Sequence, residues 1–228
     1  MAGEEIIVFW AGAVVFAIAA IGFTLLESRI KTDKWPFRDE AFVSFITVIS
    51  YVIMANGILT VTAPNGQPIY WTRWLFYIGS CVILATEVAR IGGKLRGETL
   101  EVAILTGIVM FCGFLASYFT TPERWYYFAL SSAAYIGLLM SLVRWRAADQ
   151  RYRKPIVGFI MAMWSLFPVV WILAPTGFGV ISPFTEAILY GILDLVTKIG
   201  FGLFVVYRIK NVFATQERRE PVKAVPAR

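Results

Sequence analysis

Asp194 and Lys198 stand four residues apart inside GILDLVTKIGFGLFVV, residues 191–206, a run otherwise apolar enough to be buried in a bilayer. Four residues make about one helical turn, so the two side chains share a face. Charges inside a membrane are costly unless paired, and by default they mark function. A lysine there can form a Schiff base with a carbonyl compound, and the aspartate one turn away can serve as its counterion. The plainer reading is an ion pair that only holds helices together, but such pairs seldom improve on apolar packing. At 1.5 Å per residue Lys198 lies about 15 Å from Arg208, near mid-bilayer.

Arg73, Glu87 and Glu186 complete the set of ionisable residues within apolar runs. Arg73, Ser80 and Glu87 recur at seven-residue intervals in RWLFYIGSCVILATEVAR, so they share one helical face, with Phe76 also on it. Each has an ordinary alternative. Glu87 can pair with Arg90 three residues on, and Arg73 can snorkel to the interface. Ser80 can bond a carbonyl one turn back, Cys81 can be a small core residue, and Phe76 can simply pack. Glu186 is expected to be a solvated glutamate at a helix start, with a place on a proton path as the other reading.

These residues need long helices to position them. Of 228 residues 58% are hydrophobic and 16% charged, which exceeds what one soluble core can hide. A bilayer core takes about 20 apolar residues per helix. Seven stretches qualify, at about 6–26, 41–62, 70–89, 102–120, 125–143, 156–176 and 184–207. The expected fold is an all-α membrane protein, a seven-transmembrane-helix bundle over residues 1–213, with a flexible cytoplasmic tail at 214–228. Spans one, two, four, five and six are expected to hold no charge. MAGEEIIVFWAG has no basic n-region and reads as the start of the first span rather than a cleaved signal.

Arg29, Lys31, Lys34, Arg38, Arg90, Lys94, Arg96, Arg144, Arg146, Arg151, Arg153 and Lys154 fall in alternate connections, and the C-terminal end is basic as well. By the positive-inside rule the N-terminus is outside and the C-terminus cytoplasmic. The net charge of +6 is then a topology signal with attraction to anionic lipid, and no nucleic-acid partner is expected. Cys81 and Cys112 suggest neither disulfide nor metal site. Histidine is absent, so proton chemistry must use carboxylates, lysine or water. No enzymatic activity is expected.

The bundle with DLVTK in its last helix resembles the microbial (type 1) rhodopsins, in which the lysine carries retinal. IYWTRW resembles the arginine-bearing start of the third helix, WSLFPVVW an aromatic and proline clamp on retinal, and FALSSAAY the segment around the ionone ring. The resemblance implies all-trans-retinal on Lys198, Asp194 as counterion, and a pocket of Tyr51, Tyr77, Phe128, Ser131, Tyr135, Trp164, Phe167, Pro168 and Trp171. Met110, Gly113 and Cys112 in the fourth helix read as packing, with a place beneath the ring as the other reading. In outward proton pumps the position of Phe76 is an acid that takes the Schiff-base proton.

Phe76, Ser80 and Glu87, with Cys81 beside Ser80, resemble the schizorhodopsins and their Antarctic relatives, which are light-driven inward proton pumps. The implied path runs through Arg73, Phe76, Ser80, Cys81 and Glu87, with release toward the cytoplasm and reprotonation from outside. Residence in the cell membrane as a multi-pass protein, with lipid and protons as partners, follows, and trimeric homo-oligomers are implied by analogy. The rivals are a sensory rhodopsin signalling to a partner, a light-driven anion pump, and a solute transporter gated by Asp194 and Lys198.

Overall fold

Apolar residues surround the first long helix, so size and fit rather than polarity distinguish its inner face from its outer one. The computed structural model describes residues 3–29, 37–91, 94–144 and 150–204. In it α1 spans Glu5–Arg29. Phe9, Ala13, Phe16 and Phe23 are buried, whereas Ile7, Val14, Ile18, Ile21 and Leu25 are exposed. A helix apolar all round suits hydrocarbon, where every backbone polar group must be satisfied within the helix.

The other helices are α2 (Phe37–Ala55), α3 (Thr72–Ile91), α4 (Arg96–Tyr118), α5 (Arg124–Val143), α6 (Gln150–Leu173) and α7 (Pro183–Asp194). Ser182 caps α7 by accepting from the Thr185 amide, and Pro183 follows at its first turn. Beyond Asp194 the helix widens into a π-helical segment, Leu195–Gly200, and returns to α-helix through Phe204. Among the described residues four spans are long and apolar enough to cross a membrane on length and composition alone: Glu5–Ser28, Arg96–Tyr118, Arg124–Val143 and Pro183–Phe204. α6 adds a shorter apolar stretch, Gly158–Leu173. α2 and α3 carry charges that the bundle must cover. Helices adjacent in sequence pack side by side from α1 to α5, α6 bridges α5 and α7, and α7 returns to α1, closing a ring.

Several boundaries differ from expectation; α6, for one, starts at Gln150 rather than near 156. α2 ends at Ala55 rather than near 62, because Gly57 takes a positive φ of 64° and turns the chain. The apolar residues that follow form a small hairpin, with β1 (Val61–Thr62) antiparallel to β2 (Pro68–Ile69). α4 starts at Arg96, before the expected 102. The boundary at residue 213 and the tail 214–228 lie outside the described residues.

Candidate functional site

Asp194 is the hub of a fully buried charge cluster. Lys198 Nζ lies 2.5 Å from its Oδ1, and Arg73 Nη1 lies 3.4 Å from its Oδ2. Tyr51 donates to Oδ2 at 2.9 Å, and the Tyr77 hydroxyl lies 2.8 Å from both oxygens. Asp194 is 0% exposed, Lys198 1% and Arg73 2%. The ammonium stands 4.1 Å from the Tyr77 ring centroid, and the Arg73 guanidinium 4.7 Å from that of Tyr190, so ring faces supply the remaining solvation. One carboxylate serves two cations. Its loss would leave both facing each other out of water, at about 3–5 kcal/mol.

That excess of positive charge explains a second acid. Glu186, two turns from Asp194, is buried and within electrostatic reach of Arg73 and Glu5. The expectation of a solvated helix-start glutamate is therefore corrected: the start of α7 is tucked against the bundle. Glu5, at the head of α1, is buried too and accepts from Tyr70 at 3.0 Å.

On the other side of Lys198 lies an apolar slot. Tyr77, Phe128, Ser131, Tyr135, Trp164, Phe167, Pro168 and Trp171 line it together, and so do Met110 and Gly113, read first as packing, and Cys81, expected on the proton path. Trp171 stacks on Phe128 with centroids 4.5 Å apart, and its indole donates to Ser117 at 2.9 Å. Tyr135 and Ser165 bond at 3.0 Å, tying α5 to α6. A Cβ on Gly113 would come within 3.0 Å of the Trp74 ring, so glycine keeps that wall thin. Trp74, Leu84, Thr106, Val109 and Thr197 also line the slot and were not foreseen; at helical spacing they read as ordinary core.

One residue expected in the pocket stands elsewhere. Tyr51 is not among the lining residues and instead holds Asp194. Ser80 is buried and donates to the Phe76 carbonyl at 3.2 Å, its ordinary alternative. Phe76 is half-buried and does not line the slot. Cys112 is buried outside the slot as packing.

Toward the end of the bundle that carries Arg90 and Arg96, Glu87 is 6% exposed and its Oε2 has no hydrogen-bond partner. It does not form the expected alternative pair with Arg90, whose guanidinium bonds Asp39 on α2. Beside it is an acid that sequence reading placed outside the spans. Glu40, in the first turn of α2, is 1% exposed. The expectation of a second span without charge is corrected: α2 starts at Phe37 rather than near 41 and takes in Glu40. Over it close α1, α3 and the last helix beyond Gly200.

The pattern described as "Bacteriorhodopsin-like protein" matches residues 4–212. A bacteriorhodopsin-II-like protein of Haloquadratum walsbyi is 30% identical over 219 residues, covering 88% of each chain. The sensory rhodopsin-2 of Haloarcula vallismortis is 24% identical, with 92% of this chain and 91% of that one covered. Among solved structures, schizorhodopsin 4 superposes with a TM-score of 0.82 at 35% identity, over 89% of this chain and 98% of that chain.

Proposed function

Given that this chain belongs to the bacteriorhodopsin-like family of microbial rhodopsins, and that its slot ends on a buried amine, we propose that it is a light-driven inward proton pump with all-trans-retinal on Lys198. The residues fit such a group. The slot is apolar, walled by Trp74, Trp164, Phe167 and Trp171, thinned at Gly113, and closed at one end by Lys198 with an anion at hand. When bound, retinal supplies light absorption and an isomerisation that redirects the Schiff-base proton.

The chain's own residues set the direction. Asp194, gripped by Tyr51, Tyr77 and Arg73, holds the positive charge in the dark and stays committed to those partners. Phe76 cannot take a proton, so α3 offers no acid between Arg73 and Ser80. Glu87, buried about 10 Å farther along α3 than Ser80, attracts the proton toward the basic end, which the positive-inside rule makes cytoplasmic. The observation that carries this reading is the buried Glu87 at that end. Glu186 and Arg73 lie on the opposite side of Asp194, on the route by which a proton would return. The protein then resides in the cell membrane with its N-terminus outside, and homotrimers follow the family analogy.

In a lightly buffered suspension of expressing cells, illumination is expected to raise external pH, and a protonophore to abolish the rise. Acidification would overturn inward pumping. A sensory role is the second reading, favoured by the sensory rhodopsin-2 relative, and light that moves no protons would support it. Asp194→Asn is expected to shift the absorption maximum to longer wavelength, since the anion that stabilises the ground-state cation is gone. The pH at which the pigment loses its colour should move with it. An unchanged spectrum would remove Asp194 from the counterion role.

A further inference from the structure

Glu40 and Glu87 reach the same place from different helices. Glu40 lies in the first turn of α2 and Glu87 one turn before the end of α3. Their carboxyl groups are close enough for a shared hydrogen bond. Neither oxygen of Glu40, nor Oε2 of Glu87, has a hydrogen-bond partner. Two ionised carboxylates are acceptors only and cannot bond each other, whereas one proton between them satisfies both.

The surroundings make that proton necessary. On α2, Asp39 is bonded to Arg90 at the rim, and Arg90 also acts on Glu87 through space. On α1, Glu27 accepts from the Arg38 amide, and deeper in, Phe23 and the Glu40 carboxyl both close on Gly202. On the last helix stands Gly202. A Cβ there would lie 3.0 Å from the Glu40 carboxyl and 2.8 Å from Phe23. The missing side chain is the seat of the Glu40 carboxyl. Gly202 follows Lys198 by four residues, about 6 Å along the helix.

We propose that Glu40 and Glu87 form one proton-binding unit, a carboxyl pair that holds a single proton between them one helical turn inward of Lys198. The unit carries one negative charge shared by two side chains. A proton arriving from the slot side bonds to the free carboxylate oxygen, and the pair releases one proton to the cytoplasmic side, returning to the singly protonated state. The role in release rests on the inward reading above; the shared proton does not.

Infrared spectroscopy of the retinal-loaded protein in lipid nanodiscs, titrated in the dark, tests the pair directly. Wild-type protein should show carboxyl signals from this pair titrating in two steps more than about one pH unit apart. Glu40→Gln and Glu87→Gln should each leave one step, at a pH that neither wild-type step occupies. Gly202→Ala keeps both acids but presses on Glu40, and should change the separation of the steps. Two independent steps, each removed cleanly by one substitution with the other unmoved, would overturn the pair, as would an unchanged titration in Gly202→Ala. In cells Glu40→Gln should slow light-driven alkalinisation several-fold. Cells that acidify or move no protons would defeat the functional reading while the dark titration still decides the pair. Alkalinisation with independent titrations would defeat the pair alone.

Discussion

Lys198→Ala, purified and mixed with all-trans-retinal, develops no visible absorption band, whereas the wild-type chain colours. Among the residues lining the slot Lys198 alone carries an amine, so no other wall residue can form the Schiff base. The substitution should not unfold the protein. Asp194 keeps Arg73, Tyr51 and Tyr77, so no anion is left unpaired. A truncated lysine leaves a small gap at the end of an existing slot, a lesser change than a cavity opened in a packed core. Unchanged helical circular dichroism separates loss of the covalent site from loss of fold. Retinal supplied as a preformed Schiff base with a small alkylamine should restore a band in Lys198→Ala, because the walls and counterion remain. A wild-type chain that stayed colourless would end the rhodopsin reading, and a band with free retinal in Lys198→Ala would remove Lys198 as the covalent site.

The helices and the lysine–aspartate pair were legible because their signals are local. Apolar runs of span length, and two charges four apart inside one of them, need no knowledge of distant contacts. Chemistry at chain bends was less legible. The hairpin after α2 had its signals in Asn56-Gly57 and Pro64-Asn65-Gly66, but the apolar letters around them mimicked a continuing helix. Glu40 stands beside Arg38 and Asp39, where an interfacial, solvated glutamate is the natural reading. Its burial comes from Phe23 and Gly202, residues far away in the chain. Glu186 is the same case at the other end. Tyr51 was foreseen as an aromatic wall, but its hydroxyl does the work, on Asp194. The π-helical segment that holds Lys198 has no sequence signature at all, and such segments recur at functional sites.

Glu87→Gln is expected to keep its colour and lose most of its transport. Glu87 does not line the slot, and Leu84, one turn before it, does. The band should therefore form with its maximum little moved. Transport depends on charge rather than contact. Across the ~10 Å of α3 between Ser80 and Glu87, a unit charge acts with about 1.7 kcal/mol at an effective dielectric of ~20. In Glu87→Gln the shared charge falls to one buried carboxyl, Glu40, which is neutral once it holds a proton. Proton departure should then slow about tenfold or more. Packing cannot account for a loss of that size, since glutamine matches glutamate in shape and adds a donor toward Glu40. Glu87→Asp retracts the charge by one methylene but keeps it, and should retain a substantial part of the rate. The initial slope of external alkalinisation, normalised to pigment content, reads both variants. If Glu87→Gln pumped at the wild-type rate, attraction by this carboxylate would not set the direction, and the inward path would have to run elsewhere. If it failed to colour, Glu87 would belong to the pocket, and its separation from the slot by Leu84 would be wrong.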